Sequence, residues 1–428
     1  MTGPATTVPR IERRDAEELL RSLVQIPSYT TEEAPLAEFI HAYMRSLGLD
    51  AELQTVPLQD GKTSFNVLGK IPGSGNGPSL MFTGHMDHAP ALGKSYDDLS
   101  LWHRDPFAGI VEGDWLFGKG SQDEKGGLCA MLLAARAMLE ADIQPVGDVW
   151  FVPVQGHKRV SSGTRHLLAT GFRTDYAVNT ENSGNGVVPR WVGRAEGSFH
   201  IRAKAGGREL HFHSKEVDSE LLHKKTVFEH LRNLLEHLGP EMAHPERTGW
   251  MTFPTGHGLP GYPQYRIERI ETISQMHVRA HFQIRVVPGQ DEASLRTDLE
   301  GVADALRRVD PHLDLTLDFP TARIRSAVSL PDDDDLVVAI AAAHESATGE
   351  RPDVSAQGRL GAAADASVLV EHGIKTVIYG PGGGMSDVGY QRAVHEGSVP
   401  PDERISITSV VTAATTYAIA ATALGRTT

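Results

Sequence analysis

Four short polar motifs hold the side chains able to do chemistry in this 428-residue chain. The first is Gly84-His85-Met86-Asp87-His88, directly after the apolar run Leu80–Thr83. His85 has an imidazole nitrogen to offer a divalent ion, and Asp87 a carboxylate to hydrogen-bond the other ring nitrogen. The second, GKGSQDEKGG over Gly118–Gly127, bends tightly and opens a helix, with Asp123 at the helix start. It lacks the Walker spacing of a phosphate loop, so Asp123 reads as a metal carboxylate held by a turn. Glu181 follows the run Tyr176–Val178, and His395 follows the glycine-rich turn Gly380–Gly384. Each motif alone is an ordinary polar loop. Together they supply two histidines and two carboxylates, a mixed nitrogen and oxygen set that suits Mn²⁺ or Zn²⁺.

The surrounding pattern says what must position these groups. Short apolar runs at Asn66–Ile71, Leu80–Thr83, Val149–Val154, Tyr176–Val178 and Thr376–Tyr379 are bounded by turn residues and read as strands buried on both faces. Helical spacing appears at Asp15–Ile26, Pro35–Leu47, Gly126–Ala141 and Asp334–Ser346. Alternation of this kind predicts an α/β sheet covered on both sides, with the motifs at the edge where ligands bind. The middle differs: Ser198–Ala205 and His277–Val287 alternate polar and apolar residues, as a one-sided antiparallel sheet does. With helical patterns at Lys225–Leu238 and Glu292–Arg308 they predict an inserted α+β domain over 192–318. The outer domain is then split into 1–191 and 319–428. Ile405–Leu424 is long and apolar enough for a bilayer, but its Thr and Ala content reads as a buried helix.

Composition excludes several functions. With 41 basic and 55 acidic side chains the net charge is −14, which repels a phosphate backbone and argues against a nucleic-acid partner. The single cysteine, Cys129, cannot close an intrachain disulfide. No apolar leader segment is visible, so a cytoplasmic protein with no membrane partner is expected. No Gly-x-Ser-x-Gly elbow of a serine hydrolase occurs.

The order and surroundings of the motifs resemble the metal-dependent aminoacylase, succinyl-diaminopimelate desuccinylase and glutamate carboxypeptidase family. The likeness runs from Leu23-Val24-Gln25-Ile26-Pro27-Ser28 through His85-Met86-Asp87, Trp102–Phe107, Leu116–Gly120 and Asp123–Gly127. It continues at Glu181, Arg285–Gly289, Asp365-Ala366, Gly380-Pro381-Gly382 and His395. It implies a zinc-peptidase-like mixed-sheet catalytic domain with an inserted α+β lid that also mediates dimerisation, hence a homodimer or higher homo-oligomer. The family's metal-bridging aspartate falls on Asp123, its first-metal ligands on His85 and Glu181, and a second-metal ligand on His395. Asp87 matches the aspartate that orients the first histidine. A lid histidine that reaches a neighbouring subunit's site falls on His211, with His213 the near alternative, and the lid arginine on Arg285.

One departure changes the expected chemistry. After the strand Val149–Val154 the family carries two adjacent glutamates, the general base and a metal ligand, before a small-residue turn that is here Ser161-Ser162-Gly163. His157 and Lys158 stand at those positions. An ammonium has no lone pair for a metal. The expectation is therefore one divalent ion per subunit, Mn or Zn, on His85, Asp123 and Glu181, with His395 as an alternative ligand to the same ion. Lys158 would act as a fixed positive charge in place of the second ion, and His157 as base or acid. With Arg159 adjacent, the field is expected to be cationic and to attract a small anionic substrate. The resulting expectation is a hydrolase of C–N bonds using metal-activated water. The family's 5-nitroanthranilate aminohydrolase, which yields 5-nitrosalicylate and ammonia, is the type these departures fit. The alternatives are an amidase or dipeptidase for N-acyl amino acids or dipeptides, and a catalytically silent ligand-binding member.

Overall fold

The computed structural model describes residues 10–58, 61–75, 77–88, 99–202, 225–241, 248–256, 259, 263–310, 312–354, 365–384 and 388–424. These form two compact units, one reaching Pro189 and resuming at Leu330, the other spanning Arg190–Ser329.

The first unit opens with α1 (Arg13–Val24), α2 (Ala34–Ser46), β1 (Asp50–Pro57), β2 (Thr63–Ile71) and β3 (Leu80–His85). It continues with β4 (Ile110–Glu112), β5 (Trp115–Phe117), α3 (Gly126–Glu140), β6 (Val149–Val154), α4 (Ser162–Ala169) and β7 (Tyr176–Asn179). The second unit holds β8 (Arg190–Trp191), β9 (Gly193–Arg202), α5 (Val227–Leu238), β10 (Gln264–Ser274), β11 (His277–Val286) and α6 (Glu292–Val309). It ends with β12 (Asp314–Asp318), β13 (Ile324–Arg325) and β14 (Val328–Ser329). The first unit then resumes with α7 (Asp335–Thr348), α8 (Asp365–Glu371), β15 (Lys375–Ile378), α9 (Val388–His395), β16 (Arg404–Ser406) and α10 (Ile407–Ala423).

The sheet of the first unit has the order β1-β2-β6-β3-β7-β15. β6, β3, β7 and β15 run parallel, while β1 and β2 pair antiparallel at one side. β3 is central and buried at every position. Leu80 and Phe82 join the core formed with α1, α2, α3 and α10, whereas Met81 joins the opposite layer with Leu167, Val368 and Leu369. This two-sided burial is why β3 reads as a continuous apolar run rather than an alternating one. α3 buries twelve of its fifteen residues. At about 1.5–3 kcal/mol for each large apolar side chain fully buried, its Leu and Met residues anchor the helix firmly. The stretch read as a buried helix is α10, packed on α3 and α7. Among the described residues no helix is long and apolar enough to cross a membrane.

The second unit is an antiparallel sheet of order β10-β11-β9-β12, with β13 also paired to β9. Phe199, Ile201, Val278 and Ala280 form one core with Leu234, Leu295 and Leu299 of α5 and α6. Both helices start with capping boxes, Thr226 with Glu229 and Asp291 with Ser294. The unit extends on both sides of the expected 192–318, because β13 and β14 pair back onto β9 and β8. β10 carries no predicted strand: seven of its eleven residues are exposed and one is buried, so no apolar run announces it.

Candidate metal centre

Three adjacent parallel strands deliver three of the predicted groups to one edge of the sheet. β3 ends on His85, which pairs with Val154 at the end of β6. The chain leaving β6 reaches His157 in the short helical turn His157–Arg159. β7 pairs with β3 up to Thr83 and Asn179, and Glu181 lies two residues beyond. Asp123 arrives separately, on the segment Ser121–Lys125 that leads into α3. The start of α3 lies close against Thr180: a Cβ added at Gly127 would stand 2.3 Å from the Thr180 carbonyl oxygen. Gly84 is bare for the same reason, since Glu124 and Thr180 occupy the space beside it.

The His85 ring is oriented from one side and open on the other. Its Nδ1 lies 2.8 Å from the carbonyl oxygen of Asp87 and 3.5 Å from that residue's Oδ1. Nε2 lies 2.9 Å from Asp123 Oδ1 and 3.5 Å from Glu181 Oε1. His85 Nε2 and Asp123 Oδ1 are buried and make no hydrogen bond with any described residue. Buried polar atoms are ordinarily satisfied, so two unsatisfied ligand atoms facing each other fit a metal position. Without a metal, burial works against a charge on His85, but the carboxylates of Glu124, Asp123 and Glu181 outweigh it and hold its pKa well above the ordinary histidine range, so an ion at Nε2 would take the place of that proton. Burial, reinforced by the charge of Glu181, pushes the carboxyl of Glu124 up, and Glu124 accepts the backbone N–H of His85.

Asp87 does something different from the expected role. The contact to His85 Nδ1 at hydrogen-bond distance is made by its backbone oxygen. Its carboxylate accepts the N–H of His157 at 2.8 Å and of Lys158 at 3.1 Å, and the Thr30 hydroxyl at 2.9 Å. It thereby fixes the turn that carries the two departing residues. That turn runs into Val160 and Ser161 at φ 61° and 58°. A β-branched residue rarely adopts this left-handed conformation, which costs on the order of 1–3 kcal/mol and persists only where surrounding bonds over-determine it.

His157 stacks on His85, with ring centroids 4.4 Å apart and planes 11° from parallel. Its Nδ1 lies 3.1 Å from Oδ2 of the buried Asp365, whose other oxygen accepts the Thr164 hydroxyl at 2.9 Å. Burial opposes the charge of Asp365, but His157 beside it holds the carboxyl well below the usual carboxylate range. Ligand atoms of His85, His157 and Glu181 all lie within 4.8 Å of one another, a group able to hold an ion.

Lys158 reaches Asp123, its Nζ 2.8 Å from Oδ2. Burial disfavours the ammonium, yet Asp123, Glu181 and Asp87 hold its pKa above the ordinary lysine value. Burial likewise opposes the charge of Asp123, and Lys158 and His85 overcome it, so the carboxyl lies well below its usual range. The expected cationic field is thus answered by carboxylates at Lys158. Behind the loop, burial pushes the Lys125 amine down to about 7, and that amine donates to the Ile26 carbonyl at 2.6 Å.

Among the described residues of the first unit, His395 does not join this cluster. His395 ends α9 on the surface, exposed. Arg285 stands exposed on β11 of the second unit. His211 and His213 lie outside the described residues. Sequence reasoning gave Asp365 and Glu124 no role beyond a motif match. Asp365 is 208 residues from its partner His157, so no local spacing announces the pair.

Comparison with known proteins agrees with this architecture. The family model "Peptidase family M20/M25/M40" matches residues 81–423. An N-formyl-4-amino-5-aminomethyl-2-methylpyrimidine deformylase of Halalkalibacterium halodurans is 24% identical over 86% of this chain and 88% of its own length. A deformylase of the same name from Bacillus subtilis is 29% identical over 43% of this chain, an alignment spanning 45% of that relative. Aminopeptidase PepT from Bacillus cereus superposes with a TM-score of 0.70 at 18% identity, over 97% of this chain and 100% of that one, a likeness of fold. The chain belongs to the M20/M25/M40 peptidase family and is a hydrolase of C–N bonds with a zinc-peptidase-like α/β fold.

Proposed function

We propose that this chain is a mononuclear metal-dependent hydrolase of a small anionic substrate, with 5-nitroanthranilate the first substrate to test. The carrying observation is the Lys158 ammonium 2.8 Å from Asp123 Oδ2, the oxygen a second ion would need. His85 Nε2, Asp123 Oδ1 and Glu181 Oε1 would hold the one ion, Mn or Zn. The ion's contribution is that of a Lewis acid, which makes water a nucleophile near neutral pH. His157, oriented through Nδ1 by Asp365, takes a proton from the attacking water at its other nitrogen and returns it to the departing nitrogen. Water adds to carbon, the C–N bond breaks, and the nitrogen leaves as ammonia or amine. With 5-nitroanthranilate the products are 5-nitrosalicylate and ammonia.

The deformylase relatives favour a second reading, in which the site removes a small acyl group from an amine as an amidase or dipeptidase does. Elemental analysis of metal per subunit, paired with an ammonia assay on 5-nitroanthranilate and an amine assay on N-formyl and N-acyl substrates, separates the readings. One equivalent of metal and ammonia release is the expected result. Amine release without ammonia gives the second reading.

A further inference from the structure

We infer that Glu403 is a positioning residue for Asp123, holding the loop that carries this carboxylate in the geometry a metal needs; the inference rests on Asp123 being a ligand. Glu403 immediately precedes β16, and its own carbonyl accepts the N–H of Gly118 at 2.9 Å. Its side chain is buried and turned into the loop. Oε2 accepts the N–H of Gly120 at 2.9 Å, and Oε1 accepts the N–H groups of Gln122 at 2.9 Å and Asp123 at 3.0 Å. One carboxylate therefore gathers three amides of a four-residue stretch, the last of them belonging to the ligand itself. Convergent backbone N–H groups form an anion-holding concavity, and here the anion is supplied from 280 residues away. Lys119 Nζ, 3.8 Å from Oε2, adds a cation on the same carboxylate. The backbone of Asp123 is thus fixed on one side by Glu403 while its side chain meets Lys158 and His85 on the other.

The amide variant tests this, because Glu403→Gln keeps the shape but sets an NH₂ group against one of the three N–H donors. Metal affinity of the folded, metal-free protein, measured by competition with a chromophoric chelator for Zn²⁺, is expected to fall about 10–100-fold, the range for groups that orient a ligand. The melting temperature of the metal-free variant is read alongside, to show that the variant is folded at the assay temperature. Glu403→Asp, which keeps the charge and withdraws by one methylene, is expected to lose less, and it serves if the amide does not fold. Wild-type zinc affinity in both variants overturns the inference. Asp123→Ala is the control: if it binds zinc as tightly as the wild type, the ligand reading itself is wrong and the inference falls with it.

Discussion

The two halves of the site are held in opposite ways. In the strand-end half, His85 Nε2 and Asp123 Oδ1 face each other 2.9 Å apart without hydrogen bonds, and Glu181 lies beside them. In the turn half, Asp87 binds two backbone N–H groups and a hydroxyl, His157 is paired with Asp365, and Lys158 with Asp123. On the proposed reading the first half would hold the cation. The second carries a cation of its own, Lys158, and an imidazole, His157, each paired with a carboxylate. Two glutamates at positions 157 and 158, the pair that the resemblance of the motifs implies for the family, would have made both halves acceptors. Replacing them with His157 and Lys158 converts one acceptor half into a preorganised charge.

Removing a donor from the strand-end half is expected to have the largest effect. His85→Ala and Asp123→Ala should each lose the metal, as measured by elemental analysis after dialysis. Turnover should fall on the order of 10³-fold, since the Lewis-acid contribution is several kcal/mol. Stoichiometric metal in either variant would break the comparison at its first half.

Reversing the charge of the turn half tests the contrast itself. Lys158→Glu removes the ammonium from Asp123 Oδ2 and puts a carboxylate beside it, so the metal count should rise from one toward two per subunit. Turnover should fall roughly 10²-fold or more as the charge pattern around His157 inverts. An unchanged count would mean that Lys158 is not what excludes a second ion.

Asp365→Asn addresses the proton carrier, with an expected loss of about 10–100-fold in kcat and an altered pH–rate profile but unchanged metal content. Stability gives a second reading of the same residue. The Asp365 carboxyl is held below its ordinary value in the native state, so its contribution is fully present above the unfolded carboxylate range, near pH 4. It drains away as pH falls through that range toward the native pKa. Melting curves of metal-free protein from pH 7 to pH 3 should therefore fall more steeply for the wild type than for the variant.

How far the site was legible follows the same division. The strand-end half could be read because local rules govern it. Two-sided burial makes β3 a continuous apolar run, parallel strands end together, and His85 and Glu181 lie at or just past those ends. The turn half was legible only as a departure at His157 and Lys158. Its supports come from Thr30, Asp87 and Asp365, which local spacing does not tie to it. Asp87 shows the limit well: its place beside His85 was readable, but a backbone oxygen takes the ring nitrogen and the carboxylate serves a turn 70 residues on. In the second unit, β11 and both helices announced themselves by their buried faces, while the exposed β10 did not.

The smallest expected effect comes from trimming one support of the turn. Thr30→Val keeps the shape and removes the hydroxyl that donates to Asp87 Oδ2, leaving the N–H groups of His157 and Lys158 on the same carboxylate. A single lost hydrogen bond of this kind costs about 0.5–1.5 kcal/mol in stability. The two remaining donors belong to the turn itself, so His157 and Lys158 should stay in place and kcat should fall less than about tenfold, with metal content unchanged. Thermal melting together with steady-state kinetics reads both quantities. A loss in kcat as large as that of Asp365→Asn would show that the strained backbone at Val160 and Ser161 is balanced on the third donor rather than over-determined by all three.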